Sequence, residues 1–355
     1  MSKIRILIVD DSAYSRQTLR KMLETDQAIE IVGISTDGID AMAKTLRHKP
    51  DLITLDLEMP GMDGFSFLRW LMENRPTPVI IISSYSDSKT VFKALEFGAA
   101  DFIAKPSRMV LSEFRAMEKE LLTKVKGLKG LRMDRLSKNL GLFEENKSTH
   151  VLREKSAFDI NAVAIGTSTG GPAALKILFS RLPADFAAGI VVSQHMPKGF
   201  TASFAERLNN ISKIEVKEAV EGDSLEHGRA LICPGGYHMT FTKKGKKVLA
   251  TMKETRSIDK YTPSVDLMMS SLAEIYGPQT LGVILTGMGS DGRAGMLEIK
   301  KRGGYTIVEA EESAVVFGMP AEVIKAGVAE RILPISDIPA EMVRLVKGTG
   351  RRKGS

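Results

Sequence analysis

Apolar positions along the chain fall into short runs separated by longer stretches of helical spacing. In the first 106 residues the runs cover 4–9, 29–34, 52–55, 79–82 and 101–104. Short, near-continuous apolar runs predict strands buried on both faces. Between them, over 12–23, 65–73 and 89–97, apolar residues recur at three- and four-residue intervals, which predicts amphipathic helices. A further helix is expected over 111–124. Strands alternating with helices in this way predict a doubly wound parallel sheet.

From residue 126 the periodicity fades and charged, Asn, Gly and Ser residues take over as far as 155, as in a linker. A second alternation then begins. Strands are expected at 160–165, 189–193, 229–233, 282–285 and 305–309, and helices at 172–182, 200–209, 264–276 and 294–302. Residues 243–255 have the pattern of a hairpin, and no internal repeat is visible. The expected organisation is α/β throughout: a domain over 1–125, a charged linker over 126–155, a second doubly wound parallel-sheet domain over 156–348 and a basic tail over 349–355.

Composition narrows the class. Of the 355 residues, 43% are hydrophobic and 26% charged, as in ordinary soluble globular proteins. No run approaches the length of a membrane span, and the amino terminus lacks a signal-peptide cleavage site. The single cysteine, Cys233, excludes an intrachain disulfide and fits a reducing cytoplasm. The net charge of +7 suggests nucleic acid until it is located. Residues 1–106 hold 13 Lys and Arg against 15 Asp and Glu, whereas 107–155 hold 12 against 7. The excess lies in the connector and tail, so neither a nucleic-acid partner nor direct membrane insertion is expected.

Chemistry-bearing residues collect at strand ends. Asp10 and Asp11 close the first strand and Asp56 the third, at the edge where such sheets bind ligands. Three converging carboxylates repel one another unless a hard cation joins them, and oxygen donors favour Mg²⁺. Ser83 ends the fourth strand, and Lys105 follows the fifth, before Pro106, a pairing that can fix a tight and sometimes cis turn. Singly, each has a structural explanation: Asp11-Ser12 as a helix cap, Asp56 as a turn, Lys105 as a surface charge. Together, in order, residues 1–125 resemble the receiver domain of bacterial response regulators. The resemblance implies a flavodoxin-like fold and phosphorylation of Asp56 by a chemotaxis histidine kinase. It also implies Mg²⁺ held by Asp10, Asp11, Asp56 and the Glu58 backbone carbonyl, phosphoryl contacts from Ser83 and Lys105, and an aromatic switch at Phe102.

A second constellation begins at Gly166-Thr167-Ser168-Thr169-Gly170-Gly171-Pro172, directly after an apolar run. Gly-x-Ser-x-Gly is the spacing of a strained nucleophile elbow, although a Ser/Thr helix cap ahead of Pro172 fits equally well. The loop lacks the Gly-x-x-x-x-Gly-Lys-Ser/Thr of phosphate cradles and the Gly-x-Gly-x-x-Gly of dinucleotide sites. A nucleophilic serine needs a base and a group that orients it. Of His48, His150, His195, His227 and His238, only His195 ends a strongly apolar strand, and the others fall in a surface helix, the linker or turns. Asp291 lies on the glycine-rich turn 287–292 before a helix, where it serves equally as an orienting carboxylate or a cap. The chain order Ser, His, Asp differs from that of α/β-hydrolases.

Gly-Thr-Ser-Thr-Gly-Gly, Gln-His-Met-Pro and Leu-Thr-Gly-Met-Gly-x-Asp-Gly, behind a receiver, resemble the CheB family of chemotaxis protein-glutamate methylesterases over nearly the whole chain. The resemblance implies a Rossmann-like catalytic domain with Ser168 as nucleophile, His195 as base and acid, and Asp291 as orienting carboxylate. The backbone N–H of Met288, with that of Thr169, would form the oxyanion hole. The implied substrates are γ-methyl esters of glutamates, and certain glutamines, on the cytoplasmic helices of methyl-accepting chemoreceptors; the serine site itself needs no cofactor. The receiver is expected to cover the serine edge until Asp56 is phosphorylated. Cys233-Pro234-Gly235-Gly236 departs from the family's usual Ala-Pro-Gly-Asp and is left outside the site. A DNA-binding regulator, a hydrolase of other specificity and an inactive interaction module are the competing readings. The first requires a helix-turn-helix after the linker, where strands and helices alternate instead.

Overall fold

The computed structural model describes residues 3–84, 88–106, 111–129, 131, 133, 159–255 and 259–346. The chain divides into two compact units, residues 1–140 and 141–355. In the first, β1 (Ile4–Val9), β2 (Ile29–Ser35), β3 (Leu52–Leu55), β4 (Val79–Ser83) and β5 (Asp101–Ala104) form a sheet ordered β2-β1-β3-β4-β5. Every pairing is parallel. The helices are α1 (Ala13–Glu24), α2 (Gly38–His48), α3 (Gly64–Asn74), α4 (Ser88–Glu96) and α5 (Leu111–Gly127).

The apolar runs become the core. Ile6, Leu7 and Ile8 of β1 and Ile80, Ile81 and Ile82 of β4 are fully buried. Each such side chain contributes roughly 1.5–3 kcal/mol relative to exposure. The sequence pattern did not announce α2, yet its start signal is present: Asp37 Oδ1 accepts the N–H groups of Ile39 at 2.9 Å and Asp40 at 3.0 Å. Helix α5 continues to Gly127, and Leu128 is buried, so the packed unit extends past the expected boundary at 125. The remainder of the expected linker beyond 133 and the 349–355 tail lie outside the described residues.

The second unit contains β6 (Ala162–Thr167), β7 (Gly189–Gln194), β8 (Glu215–Glu218), β9 (Arg229–Ile232), β12 (Thr280–Ile284), β13 (Tyr305–Glu309) and β14 (Arg331–Leu333). They form a sheet ordered β14-β13-β12-β6-β7-β9-β8, again parallel at every pairing. Its helices are α6 (Gly171–Arg181), α7 (Thr201–Ile211), α8 (Val265–Tyr276), α9 (Arg293–Lys301), α10 (Met319–Lys325) and α11 (Ile338–Val346). An antiparallel hairpin, β10 (Tyr237–Lys244) with β11 (Lys247–Glu254), packs against α8. The expected hairpin at 243–255 therefore starts too late, because Thr240 and Thr242, alternating with Met239 and Phe241, already belong to β10.

Two edge strands escaped the apolar pattern. β8 is mostly charged, and β14 is short and half exposed, as edges that must resist further pairing tend to be. Helices α10 and α11 escaped because Pro320 and Pro339 stand near their starts, where proline is tolerated. Among the described residues no helix is long and apolar enough to cross a membrane.

Strand order reverses beside β1 and β3 in one unit and beside β6 and β12 in the other. Such reversals open a crevice at the carboxyl ends of the strands. The Asp10/Asp56 and Ser168/Asp291 groups lie beyond those ends.

Gly64, at the start of α3, lies against the backbone behind Asp56: a Cβ there would stand 2.3 Å from the Asp56 carbonyl oxygen and 2.7 Å from Leu57 Cα. Gly64→Ala is expected to destabilise the first unit by roughly 1–3 kcal/mol. The chain's one tryptophan, Trp70, sits on α3 and reports that unit alone. A urea transition in Trp70 fluorescence unmoved by Gly64→Ala would contradict this packing.

Candidate functional site

At the β1/β3 crevice, carboxylate oxygens of Asp10, Asp11 and Asp56 all lie within 4.8 Å of one another. Lys105 Nζ donates to Asp56 Oδ2 at 2.5 Å and to Asp10 Oδ2 at 3.1 Å. Ser15 Oγ donates to Asp10 Oδ2 at 2.5 Å, and the Glu58 N–H to Asp56 Oδ1 at 3.0 Å. Burial raises the Asp56 carboxyl above its ordinary value against the Lys105 ammonium, and the Asp10 charge adds to the rise. Lys105 stays charged: burial opposes this, but the two carboxylates outweigh it. Among the described residues Lys105 is the cation paired to these carboxylates, while Arg16 binds the Asp10 and Asp11 carbonyls instead, and the hard oxygen donors, with Asp11 exposed, fit Mg²⁺. Ser83 is buried in register with Ala104, next to Lys105. Phe102 is buried edge-on to Phe92, with the Lys124 ammonium 5.4 Å from its ring centroid. The Lys105–Pro106 bond is trans; the cis bond among the described residues is Thr262–Pro263.

In the second unit Thr167 of β6 pairs with Gln194 of β7. Ser168 and His195 therefore leave neighbouring strands side by side, about 4.8 Å apart in the sheet direction. The Gln194 amide ties the two together, donating to the carbonyls of Ser168 at 2.9 Å and His195 at 3.1 Å. Ser168 does not carry the strain of an elbow. Among the described residues the one non-glycine with positive φ is Lys49, and Gly170, at φ 79°, takes the left-handed step. Among the described residues Ser168 Oγ has no hydrogen-bond partner, so it projects from the strand end unengaged.

His195 Nε2 donates to Asp291 Oδ2 at 2.9 Å. Because Nε2 carries that proton, Nδ1 is left as the basic nitrogen. Asp291 is 2% exposed. It also accepts the N–H groups of Val265 at 2.7 Å and Asp266 at 3.0 Å, and the Ser264 hydroxyl at 3.3 Å. Burial pushes this carboxyl up, but the His195 bond and charge, with the two N–H groups, outweigh burial and hold it below its ordinary value. Asp291 is thus a cap as well as an orienting group: besides the first turn of α8 it meets the Gly292 N–H, at the start of the helix that follows it, at 3.2 Å. It caps α8, while Asp266 of α8 caps α9 by accepting the N–H groups of Gly292 at 2.9 Å and Gly295 at 2.7 Å. Partial burial, with the Asp291 charge beside it, raises Asp266 to about 6.

A model of the CheB methylesterase family matches residues 163–342, and one of the response regulator receiver domain matches residues 6–113. The chain is 46% identical to protein-glutamate methylesterase/protein-glutamine glutaminase 3 of Geobacter sulfurreducens, over 97% of this chain and 98% of that one. The chain belongs to the CheB methylesterase family. A similarly named Pyrococcus abyssi protein is 41% identical over 97% of this chain and 94% of its own. The crystal structure of the Thermotoga maritima CheB methylesterase catalytic domain aligns with a TM-score of 0.52 and 43% identity, covering 53% of this chain and all of that one.

Several residues around the site of this CheB-family chain gave no warning in the sequence. Thr286 sits behind Ser168: its carbonyl accepts the Ser168 N–H at 3.0 Å, and its hydroxyl donates to the Thr169 carbonyl at 2.9 Å. Its own N–H donates at 2.7 Å to Glu309 Oε2, a fully buried carboxyl whose other oxygen accepts from Ser313 at 2.9 Å. Thr286 thereby fixes the loop that carries Met288, whose N–H has no partner among the described residues. A Glu ending a strand looks like a solvated charge, and only the β12–β13 pairing turns it inward. The Gly235–Gly236 turn packs on the Pro197–Lys198 loop next to His195, so it supports the site from behind.

Burial raises Glu309 to about 7, against the Thr286 and Ser313 bonds. Glu309 and Asp266 both bind their protons more tightly folded than unfolded. The stability they contribute is complete below the ordinary carboxyl range of about 4. It is lost as pH rises through the folded values of about 6 and about 7. Glu309→Gln keeps an acceptor for Thr286 and removes the titration. The urea midpoint of the second unit is expected to fall between about pH 5 and about pH 8 in the parent and to fall much less in the variant. Equal slopes would show that Glu309 does not titrate in this range.

Proposed function

We propose that Ser168, His195 and Asp291 form the hydrolytic triad of a phosphorylation-controlled methylesterase acting on chemoreceptor glutamates. The observation that carries this reading is the 2.9 Å bond from His195 Nε2 to the buried Asp291, with Ser168 on the neighbouring strand end. Asp291 holds the imidazole so that Nδ1 takes the Ser168 proton as Oγ attacks the γ-methyl ester. The oxyanion is met by the Met288 N–H, assisted by that of Thr169, and by the positive end of α6. His195 returns the proton to departing methanol, then removes one from the water that hydrolyses the acyl-enzyme. An amide in place of the ester gives glutamine deamidation by the same steps. Receptor helices present the ester, so the partner is a cytoplasmic helical bundle rather than nucleic acid, and the enzyme acts in the cytoplasm.

The acidic cluster supplies the control. Asp56 accepts a phosphoryl group from a histidine kinase; Ser83 and Lys105 contact its oxygens, and Phe102 responds to the change. Mg²⁺ bound by Asp10, Asp11, Asp56 and the Glu58 carbonyl would neutralise charge on the phosphoryl group. In this reading residues 1–125, with the α5 extension to Leu128, form the regulatory part, and residues 156–348 the catalytic part.

Methanol release from methyl-labelled chemoreceptor membranes, with and without a small phosphodonor, tests both halves. Ser168→Ala is expected to lose activity about a thousandfold or more; substantial residual activity would remove Ser168 as nucleophile. Asp56→Ala is expected to retain basal activity but lose its response to phosphodonor. An unchanged response would place the control elsewhere.

A further inference from the structure

His238 belongs to none of the roles assigned above, yet it is buried and its ring is used on both sides. Nε2 donates to Asp259 Oδ2 at 3.0 Å, and Nδ1 accepts the Ser264 N–H at 3.0 Å. These two partners are the ends of one six-residue segment, 259–264. The ring itself is fixed, because His238 lies within the β10–β11 ladder opposite Lys253.

What the segment carries explains why it needs fixing. Tyr261 lies parallel to the His195 ring, with centroids 5.2 Å apart and planes 5° apart. Its hydroxyl accepts the Ser290 N–H at 3.2 Å, which ties the same residue to the loop of Met288 and Asp291. Gly289, at φ 87°, makes room: a Cβ there would stand 2.4 Å from the Tyr261 oxygen. At the segment's end Ser264 starts α8 and donates to Asp291. The segment thus touches the base through Tyr261 and the orienting carboxylate through Ser264.

The Asp291 bond fixes one point of the imidazole but leaves the ring free to rock about the line joining the two groups. A parallel aromatic face removes that freedom, and a flat contact is restrictive only if the aromatic residue cannot itself move. We propose that His238 is a positioning residue for the hydrolytic reaction: it staples the 259–264 segment at both ends so that Tyr261 holds the plane of His195 and aims Nδ1 at Ser168. The proposal rests on the triad reading. His238 touches no reacting atom and acts through Tyr261 and Ser264.

The test is a double-mutant cycle in the full-length protein, read as the rate of Ser168 phosphonylation by a fluorophosphonate, in which Oγ attacks phosphorus and fluoride leaves, with kcat and KM on a small chromogenic ester and Tm measured in parallel. His238→Ala and Tyr261→Ala are each expected to slow phosphonylation by about tenfold, and the double variant by about the same factor rather than about a hundredfold, because both remove one constraint. The loss should fall on kcat and leave KM within about twofold. His238→Asn, which keeps an acceptor for the Ser264 N–H, should recover part of the rate. Should His238→Ala not fold, His238→Asn and His238→Gln complete the cycle against Tyr261→Ala. Multiplying effects, a loss confined to KM, or a folded His238→Ala within about twofold of the parent rate would overturn the proposal. If Ser168→Ala still hydrolyses the ester, the triad reading itself falls and the proposal falls with it. If Ser168→Ala is inactive but the effects multiply, only the stapling role is lost.

Discussion

The second unit is organised around keeping one carboxylate ionised out of water. A buried, unpaired charge costs several kcal/mol or more, so Asp291 is tolerable only where donors converge. Two come from the first turn of α8, one from the Ser264 hydroxyl that starts the helix, and one from His195. That demand brings the amino end of α8 up to the loop after β12. It also draws Asp291 mainly onto α8, so that the shorter bonds at the start of α9 come from Asp266. His195 is oriented as a consequence, since its Nε2–H meets one of the two oxygens the helix is holding.

The acidic cluster of the first unit treats the same problem differently. It gathers more carboxylates than its donors can satisfy, and Lys105 compensates only part of the charge. A site left electronegative in this way suits a hard cation, as the control proposed above requires. In the proposed function Asp291 holds the Nε2 proton of His195 in place and must not change, whereas Asp56 must change. The ratio of donors to carboxylates separates the two, although both sit at a reversal of strand order in a parallel sheet.

Much of what is written as a local pattern was legible in the sequence, although the Asp37 cap that starts α2 was passed over. The core strands were visible because strands buried on both faces are continuous apolar runs, and Ser168, His195 and Asp291 because each stands just past such a run. What failed depends on context. The Gly-x-Ser-x-Gly spacing suggests a strained serine, but the left-handed step falls on Gly170. Asp291 looks like a cap for the helix after it alone, whereas only the packing of α8 beside α9 shows that it serves α8 as well and that Asp266 of α8 caps α9. Nothing local marks Gln194, His238, Tyr261 or Glu309 as parts of the site: their partners are strand neighbours or lie many residues away. β8 and β14 were missed because edge strands carry the polar residues that make them resemble loops.

The use of Nε2 to meet Asp291 has a geometric consequence. Nδ1 is the ring nitrogen nearer the main chain, so the lone pair that remains has a short reach. In the proposed triad the partner for that lone pair leaves the adjacent strand at the same level, Ser168 from β6 beside β7. The spacing of Ser168 and His195 is therefore set by the sheet itself, at the pitch of its hydrogen-bonded ladder. Loops around the edge can change in length or sequence without altering that distance, whereas a slip of one residue between β6 and β7 would abolish it.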